Sequence, residues 1–233
     1  ADELSYLVTE DGDRRAEEAF WNQFAQADTF GSLIQPDRAL TVRLVDHLAT
    51  LDDEGDFFRS DAIDRGQRVL TQARYLTSRY VAAIANPPYM GNRNMGDSLR
   101  AFAEATYPTS SGDLCTMFIE QTLALVCADG LSALVVSESW LFTATYAQLR
   151  EELLLKSVPL VTACIDKSAF RVRLNVAATV FKKSGRGGMS QFFRVSPNLL
   201  ASGPVRSLPP SGEKVHVVYA TDFRAVPGGA FVF

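Results

Sequence analysis

The alternation of short apolar runs with segments of helical periodicity constrains the fold of this chain more than any other feature. The run at 131–136 is continuously apolar apart from one serine, which is typical of a strand buried on both faces of a sheet. Helical segments separate the first three runs, and this order predicts an α/β, Rossmann-like domain in which helices flank a mostly parallel sheet. The predicted strands are 81–85, 131–136, 159–165 and 175–182, with helices at 114–128 and 143–156.

Composition divides the chain into three predicted parts. The first has apolar side chains at helical spacing, whereas the last has short apolar pieces interrupted by glycines and prolines. These parts are a helical segment at 1–79, an α/β part at 80–183 and a loop-rich β extension at 184–233. The extension contains two pieces with strand character, at 191–195 and 214–219.

A polar stretch at 91–112 follows the first predicted strand. It contains glycines, serines and threonines and few large apolar residues, so we expect a long, mobile loop with one short helix around 99–105. Asp113 is a suitable N-cap for the helix that begins at Leu114. Asp129 and Gly130 predict a turn after that helix.

Composition excludes several functional classes. A net charge of −4 is unlike that of a free-standing nucleic-acid clamp, which carries a basic surplus. The three cysteines and two histidines are not grouped, so we expect reduced thiols, no metal site and no role for the histidines. No apolar run is long enough to span a membrane and the start of the sequence lacks a signal-peptide pattern, so we expect a cytoplasmic protein. The three cysteines are Cys115, Cys127 and Cys164, and the two histidines are His47 and His216.

The sequence Asn86-Pro87-Pro88-Tyr89 directly follows the first predicted strand. The lone pair of an exocyclic amino group such as that of adenine is delocalised into the ring, so the amine is a poor nucleophile. Two acceptors, the side-chain oxygen of Asn86 and the carbonyl of Pro87, can bind its N–H groups and direct the lone pair outward. Consecutive prolines fix the backbone of these acceptors. Tyr89 can replace the stacking that a base loses when it leaves a duplex.

The same four residues would also suit a simple turn after a strand, so the motif needs support from its surroundings. Several blocks around it supply that support, and with them the chain resembles PglX-type adenine-specific DNA methyltransferases of BREX phage-defence systems. It is also similar, more distantly, to fused restriction-modification methyltransferases. The blocks are Phe30-Gly31-Ser32-Leu33-Ile34, Ala85 to Gly91, Asp113-Leu114, Met117-Phe118-Ile119-Glu120, Ser139-Trp140 and Leu149-Arg150-Glu151.

The resemblance implies transfer of a methyl group from S-adenosylmethionine to N6 of a flipped adenine in double-stranded DNA. It implies catalytic roles for Asn86, Pro87, Pro88 and Tyr89, with Asn86 also next to the cofactor, and partners among other phage-defence proteins. No glycine-rich cofactor turn precedes Asn86, so the chain is expected to be an internal piece that lacks the cofactor half. Alone, it is expected to bind S-adenosylmethionine weakly and to be inactive. Val81 stands where the family often has aspartate, which leaves the role of that acid in doubt.

Three further residues are candidate substrate contacts. Phe170 precedes the fourth predicted strand, where the family often places a second aromatic residue, although core packing is an equal alternative. Ser139 and Trp140 follow the second predicted strand and could line the mouth of a pocket, although Trp140 suits a core equally well. Four arginines could contact phosphates, but a solvated surface explains them better: Arg93, Arg100, Arg171 and Arg173.

Two other functions are compatible with the sequence. The same motif occurs in enzymes that methylate the glutamine side chain of translation release factors, since a carboxamide nitrogen has the same delocalised lone pair. The blocks at 90–91 and 117–120 favour DNA over a protein substrate. The second alternative is a non-catalytic scaffold whose motif is idle because the cofactor half is absent.

Overall fold

The structure, a computed structural model, describes residues 3–9, 11–167, 174–184, 188–195, 214–219, 222–223 and 225–231. The chain forms two compact units, Ala1–Arg79 and Tyr80–Phe233. The first unit is helical, and the second contains the sheet.

Helices occupy the parts of the first unit that show helical periodicity. Three of them begin at an aspartate whose carboxylate accepts hydrogen bonds from backbone amides of the first turn: Asp13, Asp37 and Asp56. Their apolar faces form one core that includes Phe20, Leu44 and Leu70. The helices are α1 (Arg14–Asn22), α2 (Ala27–Phe30), α3 (Arg38–Leu48) and α4 (Phe57–Thr77).

The second unit is built on a sheet of six described strands in the order β1-β2-β4-β3-β5-β6. The strands are β1 (Tyr80–Ala85), β2 (Val126–Ser137), β3 (Val158–Ile165), β4 (Val176–Lys182), β5 (Met189–Val195) and β6 (Val215–Tyr219). The helices are α5 (Asp97–Thr106), α6 (Leu114–Leu125) and α7 (Ala147–Lys156). All four predicted strands are confirmed, and β5 and β6 extend the same sheet at the two predicted pieces near 191–195 and 214–219.

The α/β class is confirmed, but the sheet is not mostly parallel. Only the β1–β2 and β3–β5 pairs are parallel, whereas β4 is antiparallel to both β2 and β3, and β6 is antiparallel to β5. β4 is antiparallel to β3 because the connection between them, at 166–175, is short, whereas a parallel crossover needs about a dozen residues or more and usually a helix. β2 and β3, which α7 connects, therefore point the same way with β4 between them.

The helix predicted at 114–128 ends earlier, at Leu125, because Val126 already pairs with Tyr80 of β1. The predicted Asp129-Gly130 turn instead lies inside β2 as an irregularity. Asp129 has a left-handed φ of 62°, and its amide donates to the carbonyl of Lys183. A Cβ at Gly130 would lie 2.9 Å from the carbonyl oxygen of Cys127 and 3.0 Å from that of Val81 in β1, so the close approach of both backbone segments favours glycine here.

The core of the second unit lies where α6 and α7 pack on the sheet. Its centre is aromatic: Trp140, Phe181, Phe192, Phe223 and Phe231 form successive tilted, edge-on and stacked contacts. Arg150 of α7 is also buried, and its guanidinium donates to three carbonyls, those of Trp140, Thr143 and Gly228. These bonds join residues 140–143, which follow β2, to the segment near residue 228.

Candidate active site

The motif Asn86-Pro87-Pro88-Tyr89 begins directly after β1, at the carboxyl end of a strand that runs parallel to β2. Ligands of open α/β sheets bind at this end of the strands. The side chain of Asn86 is exposed, Pro87 is buried and Tyr89 is half-buried against the core together with Ala85. The buried proline fixes the turn while the amide of Asn86 stays accessible.

Tyr89 is joined to the neighbouring strand and to Asn86. Its hydroxyl donates to the carbonyl oxygen of Val135 in β2 over 3.0 Å and lies 3.3 Å from Oδ1 of Asn86. A hydroxyl has one proton, so the shorter bond to Val135 leaves the Asn86 oxygen able to accept from another donor. Burial, and then the charges of Cys115 and Asp113, raise the pKa of Tyr89, so its hydroxyl stays protonated as a donor.

The chain that leaves the motif runs antiparallel to residues 112–114. The amide of Met90 donates to Oδ1 of Asp113 (3.2 Å), and its carbonyl accepts from the amide of Leu114 (2.9 Å). Gly91 pairs with Asp113, and the amide of Asn92 donates to the carbonyl of Gly112 (3.0 Å). The start of α6 therefore holds the backbone directly behind the motif.

The segment 91–112 is more structured than its polar composition indicated. It contains α5, and it buries Met95, Leu99, Ala103 and Tyr107. The Tyr107 hydroxyl also lies 3.0 Å from a side-chain oxygen of Gln121 on α6. The prediction of a short helix was correct. The segment has few large apolar residues, as the sequence indicated, but most of them are buried, and its mobility stays a prediction.

The other candidate residues have different environments. Ser139 is half-buried in a short turn after β2, where its hydroxyl lies 2.8 Å from that of Ser137. Trp140 does not line a pocket mouth: its side chain is fully buried and packs between Phe181 and Phe231 in the core, which corrects that prediction. Phe170 lies outside the described residues, as do Arg171 and Arg173.

The two described arginines near the motif also differ. Arg93 is exposed in a turn after the motif, whereas the guanidinium of Arg100 donates to the carbonyls of Asn92 and Met95. Arg100 therefore already stabilises the turn, and a phosphate contact of Arg93 stays a prediction. Within the described residues no group of histidine, cysteine and acidic side chains could hold a metal ion, and no helix is long and apolar enough to cross a membrane.

Sequence reasoning missed the contacts of two acidic residues in the second unit. Asp113 was recognised as a helix cap but not as a partner of Met90. Glu138, at the end of β2, is buried and accepts a 2.7 Å ion-pair bond from Arg194 of β5. Neither contact leaves a local sequence signal, because each joins residues far apart in the chain.

Buried thiols make stability depend on alkaline pH. Burial, and then the charge of Glu138, raises the pKa of Cys164 from 9.0 to about 12. The unfolded thiol ionises near pH 9 and the folded one does not, so its contribution to stability is present below pH 9 and lost as pH rises towards 12. We expect urea unfolding of the chain to show a free energy that falls over this range. Cys164→Ala should reduce the fall of the free energy of unfolding with pH. An equal fall in the parent and in Cys164→Ala would contradict a raised pKa of Cys164.

Comparison with known proteins places the chain in a family. Residues 16–163, more than half of the chain, match the model of the Eco57I restriction-modification methylase family. The chain therefore belongs to this family.

Two curated relatives agree with the predicted resemblance. The chain is 36% identical over 150 residues to the adenine-specific methyltransferase BrxX of Escherichia coli O9:H4 (strain HS), with 63% of this chain matched. It is 25% identical over 183 residues to the adenine-specific methyltransferase PglX of Lacticaseibacillus casei (strain Zhang), with 74% of this chain matched. The resemblance to PglX-type proteins is thus confirmed. The matches span only 12% and 15% of these relatives, so the chain corresponds to a small part of each.

Solved structures agree on the fold. A chain of a type I restriction-modification system superposes with a TM-score of 0.52 at 14% identity, covering 69% of this chain and 38% of that chain. The type IIG restriction endonuclease BpuSI gives 0.50 at 11% identity, covering 74% of this chain and 25% of that one. At such identities the likeness concerns the fold alone.

Proposed function

We propose that the protein containing this chain transfers a methyl group from S-adenosylmethionine to N6 of adenine in DNA, as part of phage defence or restriction-modification. The observation that carries the proposal is the geometry at the end of β1. There the amide of Asn86 is accessible, Pro87 is buried and the Tyr89 ring is fixed beside them. Membership of a methylase family and the adenine-specific relatives support the same reaction.

In the proposed reaction the base amine donates its two N–H groups to Oδ1 of Asn86 and to the carbonyl of Pro87. These bonds favour a tetrahedral nitrogen whose lone pair points away from the ring, which lowers the barrier to attack on an electrophilic methyl group. After transfer the cationic nitrogen loses a proton to water, because the amide of Asn86 is too weak a base to take it. Tyr89 stacks on the extruded base, and DNA with a flipped adenine is the proposed substrate.

The cofactor would supply the electrophilic methyl group, whose bond to sulfur breaks as the bond to nitrogen forms, and it would leave as the neutral thioether S-adenosylhomocysteine. Asn86 is the residue of this chain that we place nearest to it. The rest of the cofactor site would need a glycine-rich turn, and the residues before Asn86 do not contain one. β1 is an edge strand among the described ones, and its Val81 and Ile84 are 79% and 83% exposed. Such exposure of apolar side chains on an edge strand is unusual, since strands with parallel neighbours are normally covered on both faces. We propose that a segment carrying the glycine-rich cofactor turn pairs with this edge in the whole protein.

The two alternatives predict different products. Methylation of a release-factor glutamine would need the same motif but a protein substrate, and a scaffold would transfer nothing. The test is to offer the full-length protein labelled S-adenosylmethionine with either plasmid DNA or purified release factor. We expect label in the DNA only. Label in the release factor, or in neither, would reject the proposal.

Tyr89 allows a graded test of base stacking. Tyr89→Phe keeps the ring but loses the bond to Val135, which should lower protein stability by about 1 kcal/mol and reduce the methylation rate only a few-fold. Tyr89→Ala also loses stacking, so binding of DNA should weaken by a further 1 to 3 kcal/mol, roughly. Denaturant unfolding and DNA titrations of the full-length variants measure both effects. Equal DNA affinity of the Phe and Ala variants would exclude stacking on Tyr89.

A further inference from the structure

One oxygen atom of the Asp113 carboxylate accepts two hydrogen bonds. Oδ1 accepts from the amide of Cys115 over 3.0 Å, which caps α6, and from the amide of Met90 over 3.2 Å. Met90 is the residue directly after Tyr89. Asp113 is the first residue before a helix whose Cys115, Met117 and Ile119 are fully buried, so its position is fixed by the core.

We propose that Asp113 is a positioning residue, which holds the backbone behind the motif so that Asn86 and Tyr89 keep their places. This inference rests on the proposed function, because it concerns how the amine-binding geometry is maintained. The bond to Met90 is side chain to backbone and bridges residues 23 apart in sequence, so it is not part of a regular ladder. The backbone of residues 112–114 also pairs with residues 90–92, and the Asp113 side chain adds to this pairing the hydrogen bond to the amide of Met90.

We expect small displacements of the backbone at Met90 to have a large effect on the rate of methyl transfer. Met90 is one peptide from Tyr89, whose hydroxyl is bonded to Val135 and lies beside the Asn86 amide. If Met90 moves, the Tyr89 ring and the Asn86 oxygen lose their common alignment with a substrate. A shift of about 1 Å in a reacting group can cost about a hundredfold in rate. A helix cap alone would affect stability and leave the rate per folded molecule unchanged.

Two substitutions separate the capping of α6 by Asp113 from its hydrogen bond to Met90. Asp113→Asn keeps an oxygen at the position of Oδ1 and is an equally good cap, so both bonds persist. Serine is also a good cap, but its hydroxyl oxygen lies one bond closer to the backbone than Oδ1 of aspartate. We therefore expect Asp113→Ser to lose the hydrogen bond to the Met90 amide and to keep the bond that caps α6. Asp37, which caps α3 and accepts from the amide of Leu40, provides the matched control Asp37→Ser.

The experiment uses the full-length protein in single-turnover methylation of DNA with saturating labelled cofactor, together with amide exchange at Met90. We expect Asp113→Ser to be about 10- to 100-fold slower with faster exchange at Met90, and Asp113→Asn and Asp37→Ser to stay within about threefold of the parent rate. A parent rate and parent exchange in Asp113→Ser, or an equal loss in Asp113→Asn, would overturn the inference. If Asp113→Ser does not fold, Asp113→Thr replaces it, because threonine is also a helix cap and its side chain is likewise shorter than that of aspartate.

The two proposals fail in different ways. If the parent protein methylates no DNA, the proposed function fails, but exchange at Met90 still reports whether Asp113 tethers the motif. If the parent methylates DNA and the Met90 amide exchanges equally in the parent and Asp113→Ser, the function stands and the inference about Asp113 is wrong.

Discussion

Replacing Asn86 by alanine in the full-length protein is expected to slow methyl transfer by two to three orders of magnitude, about 3 to 4 kcal/mol in the barrier. The substitution removes the side-chain acceptor from the amine, whose lone pair then stays delocalised. DNA and cofactor affinity should change little, because Asn86 is exposed and the Tyr89 ring remains fixed through Val135. Single-turnover rates at saturating cofactor, with separate binding titrations, distinguish the chemical step from binding.

The matched control for this experiment is Asn94→Ala. Asn94 is an exposed asparagine in the turn that follows the motif, so its loss should leave the rate within about twofold of the parent. Circular dichroism confirms that each variant is folded. A folded Asn86→Ala protein that methylates at the parent rate would mean that the motif is only a turn after a strand.

Replacing Trp140 by alanine is expected to lower the free energy of unfolding by about 3 to 5 kcal/mol, the range for large aromatic residues in a core. Trp140 is fully buried, and its ring centroid lies 5.5 Å from those of both Phe181 and Phe231. Its indole nitrogen has no hydrogen-bond partner among the described residues. Trp140→Phe should therefore cost much less than Trp140→Ala, since no hydrogen bond is lost and the cavity is smaller.

Urea unfolding of the 233-residue chain followed by circular dichroism measures this effect. Phe142→Ala is the control, because Phe142 lies two residues further along and is half exposed, so its removal should change stability by only about 0.5 kcal/mol. If Trp140→Ala unfolds at the same urea concentration as the parent, and the full-length variant binds DNA more weakly, then Trp140 contacts the base and its place in the core is wrong.

The place of the motif could be predicted from sequence because it depends on local signals. An apolar run ended by two prolines predicts a strand followed by a fixed turn, and β1 ends at Ala85 with Asn86 beyond it. The helix that begins at Leu114 and its aspartate cap are local in the same way. Such signals need only neighbouring residues.

Pairing within the sheet and the burial of aromatic residues could not be predicted in the same way. The run that forms β4 is apolar whichever way it points, and its antiparallel direction depends on insertion between β2 and β3. Tyr89 and Trp140 are both aromatic residues directly after or near a strand end, yet one is half-buried at the site and the other is in the core. Only the tertiary contacts of β4 and of residue 231 decide this difference.

The most direct test of the central claim is the chemical identity of the methylated product. DNA treated with the full-length protein and labelled S-adenosylmethionine is digested to nucleosides, which are separated and analysed by mass spectrometry. The proposed function predicts that the label is found in N6-methyladenine and that it disappears with Asn86→Ala. Label in a methylated cytosine, or no labelled nucleoside from the folded parent protein, would contradict it.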